Sequence, residues 1–170
     1  MMHLTQKNKR DSTKGFGMIE VVVAIAIISI AFTALFDVYG SYLGVQFANT
    51  RIVKASFLLE EGLEVVRLLR DTSWSSNIGN TTVGTTYYLY WTGSAWQATT
   101  TAQTVDTLYT RTLVFSNAYR DSNDRIVSSG GTLDPNTRGY MVTVTWPTNT
   151  STSATTSKQI SSYITNMFTN

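Results

Sequence analysis

Twenty-one residues from Phe16 to Phe36 carry a single charge, Glu20. At about 1.5 Å per helical residue, that length spans the roughly 30 Å apolar core of a bilayer. The run is predicted to form a membrane helix. A carboxylate near the start of such a helix costs roughly 2–3 kcal/mol or more, so its presence implies a use. Upstream, Lys7, Lys9, Arg10 and Lys14 face one acid, Asp11, which leaves the first 15 residues at net +3. A basic leader of this kind stays in the cytoplasm and sends the following chain across.

Three readings compete for a basic start followed by an apolar run. An ordinary secretory signal has an apolar core of about 7–15 residues and then a small-x-small cleavage site. Here the run is longer and its acid sits at the cytoplasmic edge, although Ala31, Thr33 and Ala34 supply small residues for a late cleavage. A plain membrane anchor explains the length but gives no role to Glu20. The third reading rests on Gly15-Phe16, followed after three intervening residues by Glu20, and the unbroken run Val21–Phe36.

That pattern resembles the N-terminal signature of type IV prepilins and the related pseudopilins: a short basic leader ending in Gly, then Phe, an acid at the fifth mature position, and an apolar helix. Gly15, Phe16 and Glu20 occupy those places. The resemblance implies cleavage after Gly15 by a prepilin peptidase and N-methylation of Phe16. It implies an assembly role for Glu20, neutralised by the Phe16 ammonium of a neighbouring subunit. Gly17 and Met18 depart from the family's common Thr and Leu. Many pilins close a C-terminal loop with a disulfide; this chain has no Cys. The resemblance is specific over about residues 14–40. It is general over Glu60–Trp74 and over Asp134–Thr137 leading into Val142–Trp146.

Beyond the anchor, 170 residues leave room for one domain. The formal net charge of +2 becomes −1 once the leader is removed, so nothing points to a nucleic-acid site. Charged residues make up 14% against the usual ~25%, and Thr, Ser, Asn and Tyr fill the gap. Such a composition suits an extracytoplasmic β-rich surface.

No Pro occurs between Phe16 and Trp74, and from Val38 to Asp71 the pattern stays helical but becomes amphipathic. Leu59, Leu63 and Val66 define its apolar stripe, with Leu58, Val65 and Leu69 beside it. Glu60, Glu61, Glu64 and Arg67 lie opposite, as a solvated face. Glu64–Arg67 and Arg67–Asp71 have ion-pair spacing. Gly40 and Gly44 weaken the helix by about 1 kcal/mol each, and are read as a flexible exit or as a point that loosens on assembly. Gly62 marks the close approach of another backbone.

The cluster Asp71–Asn77 ends the helix. Strands are predicted over Thr85–Trp91, Ala95–Thr99, Thr107–Ser116, Gly139–Trp146 and Ser157–Met167, with a turn at Gly93-Ser94 and a soft linker over Thr148–Ser157. The fold class is thus α+β, with a long N-terminal helix on an antiparallel sheet whose core rests on Leu59, Leu63 and Val66, which is the pilin-like layout that the resemblance implies. The divisions are a leader at 1–15, a transmembrane and filament-core helix at 16–37, an amphipathic helix at 38–73 and a β-rich head at 74–170.

Catalytic constellations are not found. With no Cys, and with His3 alone in the leader, neither a His-based triad nor a His/Cys zinc site can be built. Asp121-Ser122-Asn123-Asp124 resembles the start of a calcium loop, but Arg125 stands where a third ligand belongs, so a polar hairpin turn is expected. The aromatics Tyr87, Tyr88, Tyr90, Trp91 and Trp96 are read mainly as sheet packing. The expected protein is a structural subunit without cofactor or metal, not an enzyme. The resemblance implies other pilin subunits, prepilin peptidase and methylase, an inner-membrane assembly platform and membrane lipid as partners. Pseudopilin of a type II secretion or DNA-uptake machine is the near alternative. A membrane-tethered adhesin that never polymerises is the distant one.

Overall fold

The computed structural model describes residue 15 and residues 17–148 and 154–167. Phe16 lies outside the described residues, as does the leader up to residue 14. The chain divides into two compact units, Met1–Gln46 and Phe47–Asn170. One helix, α1 (Met18–Thr72), contributes to both and continues through Gly40 and Gly44 without a break.

In the first unit, α1 exposes apolar side chains on every side, from Ile19 and Val22 to Leu35 and Phe36. The two hydroxyls of the apolar run bond within the helix: Ser29 Oγ donates to the Ile25 carbonyl (2.8 Å) and Thr33 Oγ1 to that of Ile30 (2.8 Å). These two hydroxyls are thus paired without a partner from outside the helix.

In the second unit, α1 buries one face against a six-stranded antiparallel sheet. The strands are β1 (Thr86–Trp91), β2 (Trp96–Thr99), β3 (Thr110–Arg120), β4 (Ile126–Val127), β5 (Thr132–Pro147) and β6 (Thr155–Thr165). Their order is β2-β1-β3-β5-β6, with β4 paired to the far end of β3. Period-two alternation puts Arg111, Leu113 and Phe115 of β3 on the helix side, level with Val144, Val142 and Tyr140 of β5. Thr110, Thr112, Thr143 and Thr145 take the outer side, only half-buried. Pro147 is the last residue of β5, opposite Thr155, and one more backbone bond follows it, from Thr148 N to the Ala154 carbonyl (2.8 Å).

Several sequence expectations shift. Position 107 is not the start of β3. Asp106 (φ 49°) and Thr107 (φ 58°) adopt left-handed backbone, which a strand cannot, so β3 begins at Thr110 and runs on to Arg120. Likewise β5 begins at Thr132, and the ladder steps from Asn117–Arg138 to Ala118–Asp134 across a bulge. The turn cluster after α1 contains a π-helical turn, Ser75–Gly79, with Ile78 fully buried. Asn77 Nδ2 donates to the Leu69 carbonyl (2.9 Å) and so caps the end of α1. Asp71 pairs with Arg70 (2.7 Å) rather than with Arg67, whose partner is Glu64.

The centre of the buried helix face also lies to one side of the expected stripe. Ala55, Leu58, Leu59, Gly62, Val65, Val66 and Leu69 are buried, whereas Leu63 is at the margin. Gly62 sits at the tightest point. A Cβ there would lie 2.7 Å from Val142 Cγ1 and 3.3 Å from Arg111 Cδ, so two side chains, not a backbone, fill the space it leaves.

Candidate processing and assembly site

The start of α1 shows what Glu20 does within one chain. Gly17 is the N-cap, and its carbonyl accepts from Glu20 N (3.0 Å) and Val21 N (3.3 Å). Glu20 stands three residues on and reaches back, its Oε2 accepting from Gly17 N (3.1 Å). This is the acidic half of a capping box. The other half needs a hydroxyl at the cap position, which Gly17 lacks. The carboxylate also lies where the helix dipole favours negative charge. Gly15 is exposed beside this cap.

Glu20 is thus the one charge of the first helical turn, set among the exposed side chains of Ile19, Val23 and Ile27. Its capping bond uses one acceptor site, while a carboxylate offers about four. Capacity remains for a cationic partner. In hydrocarbon such a partner would offset the cost of the charge.

Of the core residues named from sequence, Leu59 and Val66 are buried on the sheet and Leu63 is partly buried. The sequence pattern did not reveal Arg111. It is 2% exposed, and its Nη1 donates to Glu61 and to the Leu58 carbonyl (3.4 Å). Its guanidinium lies 4.9 Å from the Trp96 ring centroid. Glu61 stays exposed on the face where its spacing had placed it, but its carboxylate also serves this buried cation. A signal did exist: Arg111 alternates with Tyr109, Leu113 and Phe115 on an inward face, and a buried cation there requires an acid opposite.

Elsewhere the head's charges fasten loops. Arg120 Nε bonds Asp134 Oδ2 (2.7 Å), Arg120 Nη2 reaches Thr137 Oγ1 (3.2 Å), and together they brace the bulge. The Arg120 bond, then the Thr137 hydroxyl and the Asn136 N–H, hold the Asp134 carboxyl below the usual carboxylate range. Lys54 joins Asp106 (2.8 Å) at the turn before β3, and that hydrogen bond raises the Lys54 pKa. Asp121 Oδ1 accepts from Asn123 N and Arg125 N (2.9 Å each), which makes the calcium-like loop a hairpin turn closed by its own carboxylate. Among the described residues, no three His, Cys, Asp or Glu side chains gather as a metal site.

A family model described as the prokaryotic N-terminal methylation motif matches residues 10–36. No curated protein and no solved structure matches the chain. The matched stretch takes in Gly15, Phe16, Glu20 and the whole apolar run. The N-terminal region of this chain is therefore a type IV prepilin signature, and it leads into an α+β protein of pilin-like layout.

Proposed function

We propose that the chain is a structural subunit, a pilin or minor pilin, of a type IV pilus-like filament. A prepilin peptidase cleaves between Gly15 and Phe16, and Phe16 is N-methylated. Until assembly, α1 holds the subunit in the inner membrane with its head outside the cytoplasm. An assembly platform then draws subunits from the lipid into a bundle of apolar helices. The observation that carries this reading is Glu20: a carboxylate in the first helical turn, at the head of the exposed run to Phe36 that holds no other charge, within the methylation motif. In the filament its spare acceptor sites take the Phe16 ammonium of a neighbour. In the second unit α1 also exposes Phe47, Val53 and Phe57, as packing between helices needs.

The test separates the two roles of Glu20. Glu20→Gln retains an oxygen for the Gly17 N–H but removes the charge; Glu20→Ala removes both. Both precursors should accumulate normally, since each change removes a costly charge from lipid. Both should be depleted from sheared filaments. Wild-type filament yield from Glu20→Gln would refute the charge pairing. Mass spectrometry of the mature protein should find Phe16 first, with one added methyl group; an N-terminus within or beyond the apolar run would refute the prepilin reading. A major pilin dominates sheared filaments, whereas a minor pilin or pseudopilin is scarce there.

A further inference from the structure

Between the π-helical turn and the β1–β2 hairpin lies an open cleft of about 340 Å³. Two aromatic rings, Trp96 and Tyr87, contribute to its wall, and both are half-buried. The amides of Asn77 and Asn80 and the hydroxyl of Thr81 stand beside them. No charged residue lines the cleft. We propose that this cleft binds a neutral carbohydrate, with the aromatic side chains meeting the C–H face of a sugar ring and the amides pairing with its hydroxyls.

The aromatic walls are fixed before any ligand arrives. Trp96 is held by the Arg111 guanidinium at 4.9 Å and by Trp91 at a ring separation of 5.7 Å. Tyr87 packs edge-on to Phe115 (6.4 Å), and its hydroxyl accepts from Thr82 N (3.0 Å). Preorganised rings lose little freedom on binding.

The polar groups keep free capacity. Asn77 spends its amide N–H on the Leu69 carbonyl, which leaves its Oδ1. The Asn80 side chain makes no hydrogen bond to the described residues and is exposed at the rim. An amide both donates and accepts, which matches a hydroxyl's own dual character.

The wall is also locally unusual in backbone. π-Helical turns are rare and are frequent at functional sites. Here the turn places Asn77 and, just after it, Asn80 opposite the hairpin. The cleft volume lies at the lower end of the roughly 300–1,000 Å³ of small-molecule sites. An anionic ligand would enter without a cation to receive it, and a cationic one without an acid, so either would be desolvated without compensation.

The test uses the full chain in a phosphocholine detergent, which carries no sugar headgroup. Intrinsic tryptophan fluorescence and binding to immobilised glycans would be read against neutral hexose- and N-acetylhexosamine-terminated oligosaccharides, with sialylated ones alongside. Saturable binding to a neutral glycan is expected. Asn80→Ala should raise Kd several-fold, and Trp96→Leu should abolish binding. Tyr163→Ala, on a different exposed surface, should change nothing. If near-UV circular dichroism shows Trp96→Leu misfolded, the exposed Asn80 variant decides. Absence of binding to every neutral glycan, binding unchanged by Asn80→Ala, or binding confined to sialylated glycans would overturn the proposal. None of these outcomes depends on filament assembly.

Discussion

Gly62→Ala opposes two effects whose sizes can be compared. In an exposed helix the change gains about 1 kcal/mol of helix propensity. At Gly62 the new methyl would stand 2.7 Å from Val142 Cγ1, where carbon atoms prefer about 3.5–4.0 Å. Val142 cannot readily yield. It is fully buried, β-branched, and paired with Leu113 on one side and Ile160 on the other. Arg111 Cδ, 3.3 Å away, belongs to a side chain tethered to Glu61 and Leu58. Relieving the overlap means moving α1 from the sheet, and overpacking of this kind costs about 1–3 kcal/mol. The net expectation is a loss of about 1 kcal/mol. Gly40→Ala and Gly44→Ala serve as controls, because nothing lies within 4 Å of either added methyl. The assay is thermal unfolding of the full chain in detergent, followed by near-UV circular dichroism. Gly62→Ala should lower Tm by a few degrees. The two controls should leave it unchanged or slightly raised. A Tm for Gly62→Ala at or above that of the wild type would refute the argument that this glycine is required by the approach of the sheet.

Leu59→Ala should cost about 2–5 kcal/mol in chemical denaturation, and Leu63→Ala clearly less, because only the former is fully within the core; equal losses would contradict the assigned helix face. Glu61→Gln should destabilise the head by less than the roughly 3–5 kcal/mol of a fully buried broken pair, since the Glu61 side chain is 45% exposed and water can partly replace it. Arg111→Met should be closer to neutral, and the reverse ranking in urea midpoints would refute the role given to the pair. Asp134 has a lowered carboxyl pKa in the folded state, so its contribution is fully present above the ordinary value of about 3.9 and is lost as pH falls through the folded value. Urea midpoints measured from pH 6 downward should decline more steeply at the acid end for the wild type than for Asp134→Asn; identical acid limbs would refute it.

The sequence alone determined the features that are properties of one dimension. A charge-free run long enough for a bilayer, one acid near its start and a Gly-Phe junction behind a basic leader can be read without knowing any partner. The same holds for the inward and outward sides of β3 and β5, because period-two alternation is written in consecutive residues. Helical periodicity was less decisive. The lines through Leu58, Leu59 and Leu63 lie close together on the helix surface, so composition could not say which line meets the sheet. The approach of Val142 settled that: it favours the face bearing Gly62, and leaves Leu63 at the margin. Tertiary structure also decided every pairing between distant segments. Glu61 becomes the partner of Arg111 only because β3 crosses beneath that turn of α1. The left-handed backbone at Thr107 defeated its β propensity because the chain turns there, between Val105 and Tyr109. The cleft assembles from Asn77 and Asn80 on one side and Tyr87 and Trp96 on the other. Each of these residues has an ordinary reading in its own segment, and their chemistry becomes specific only where the π turn and the hairpin face each other.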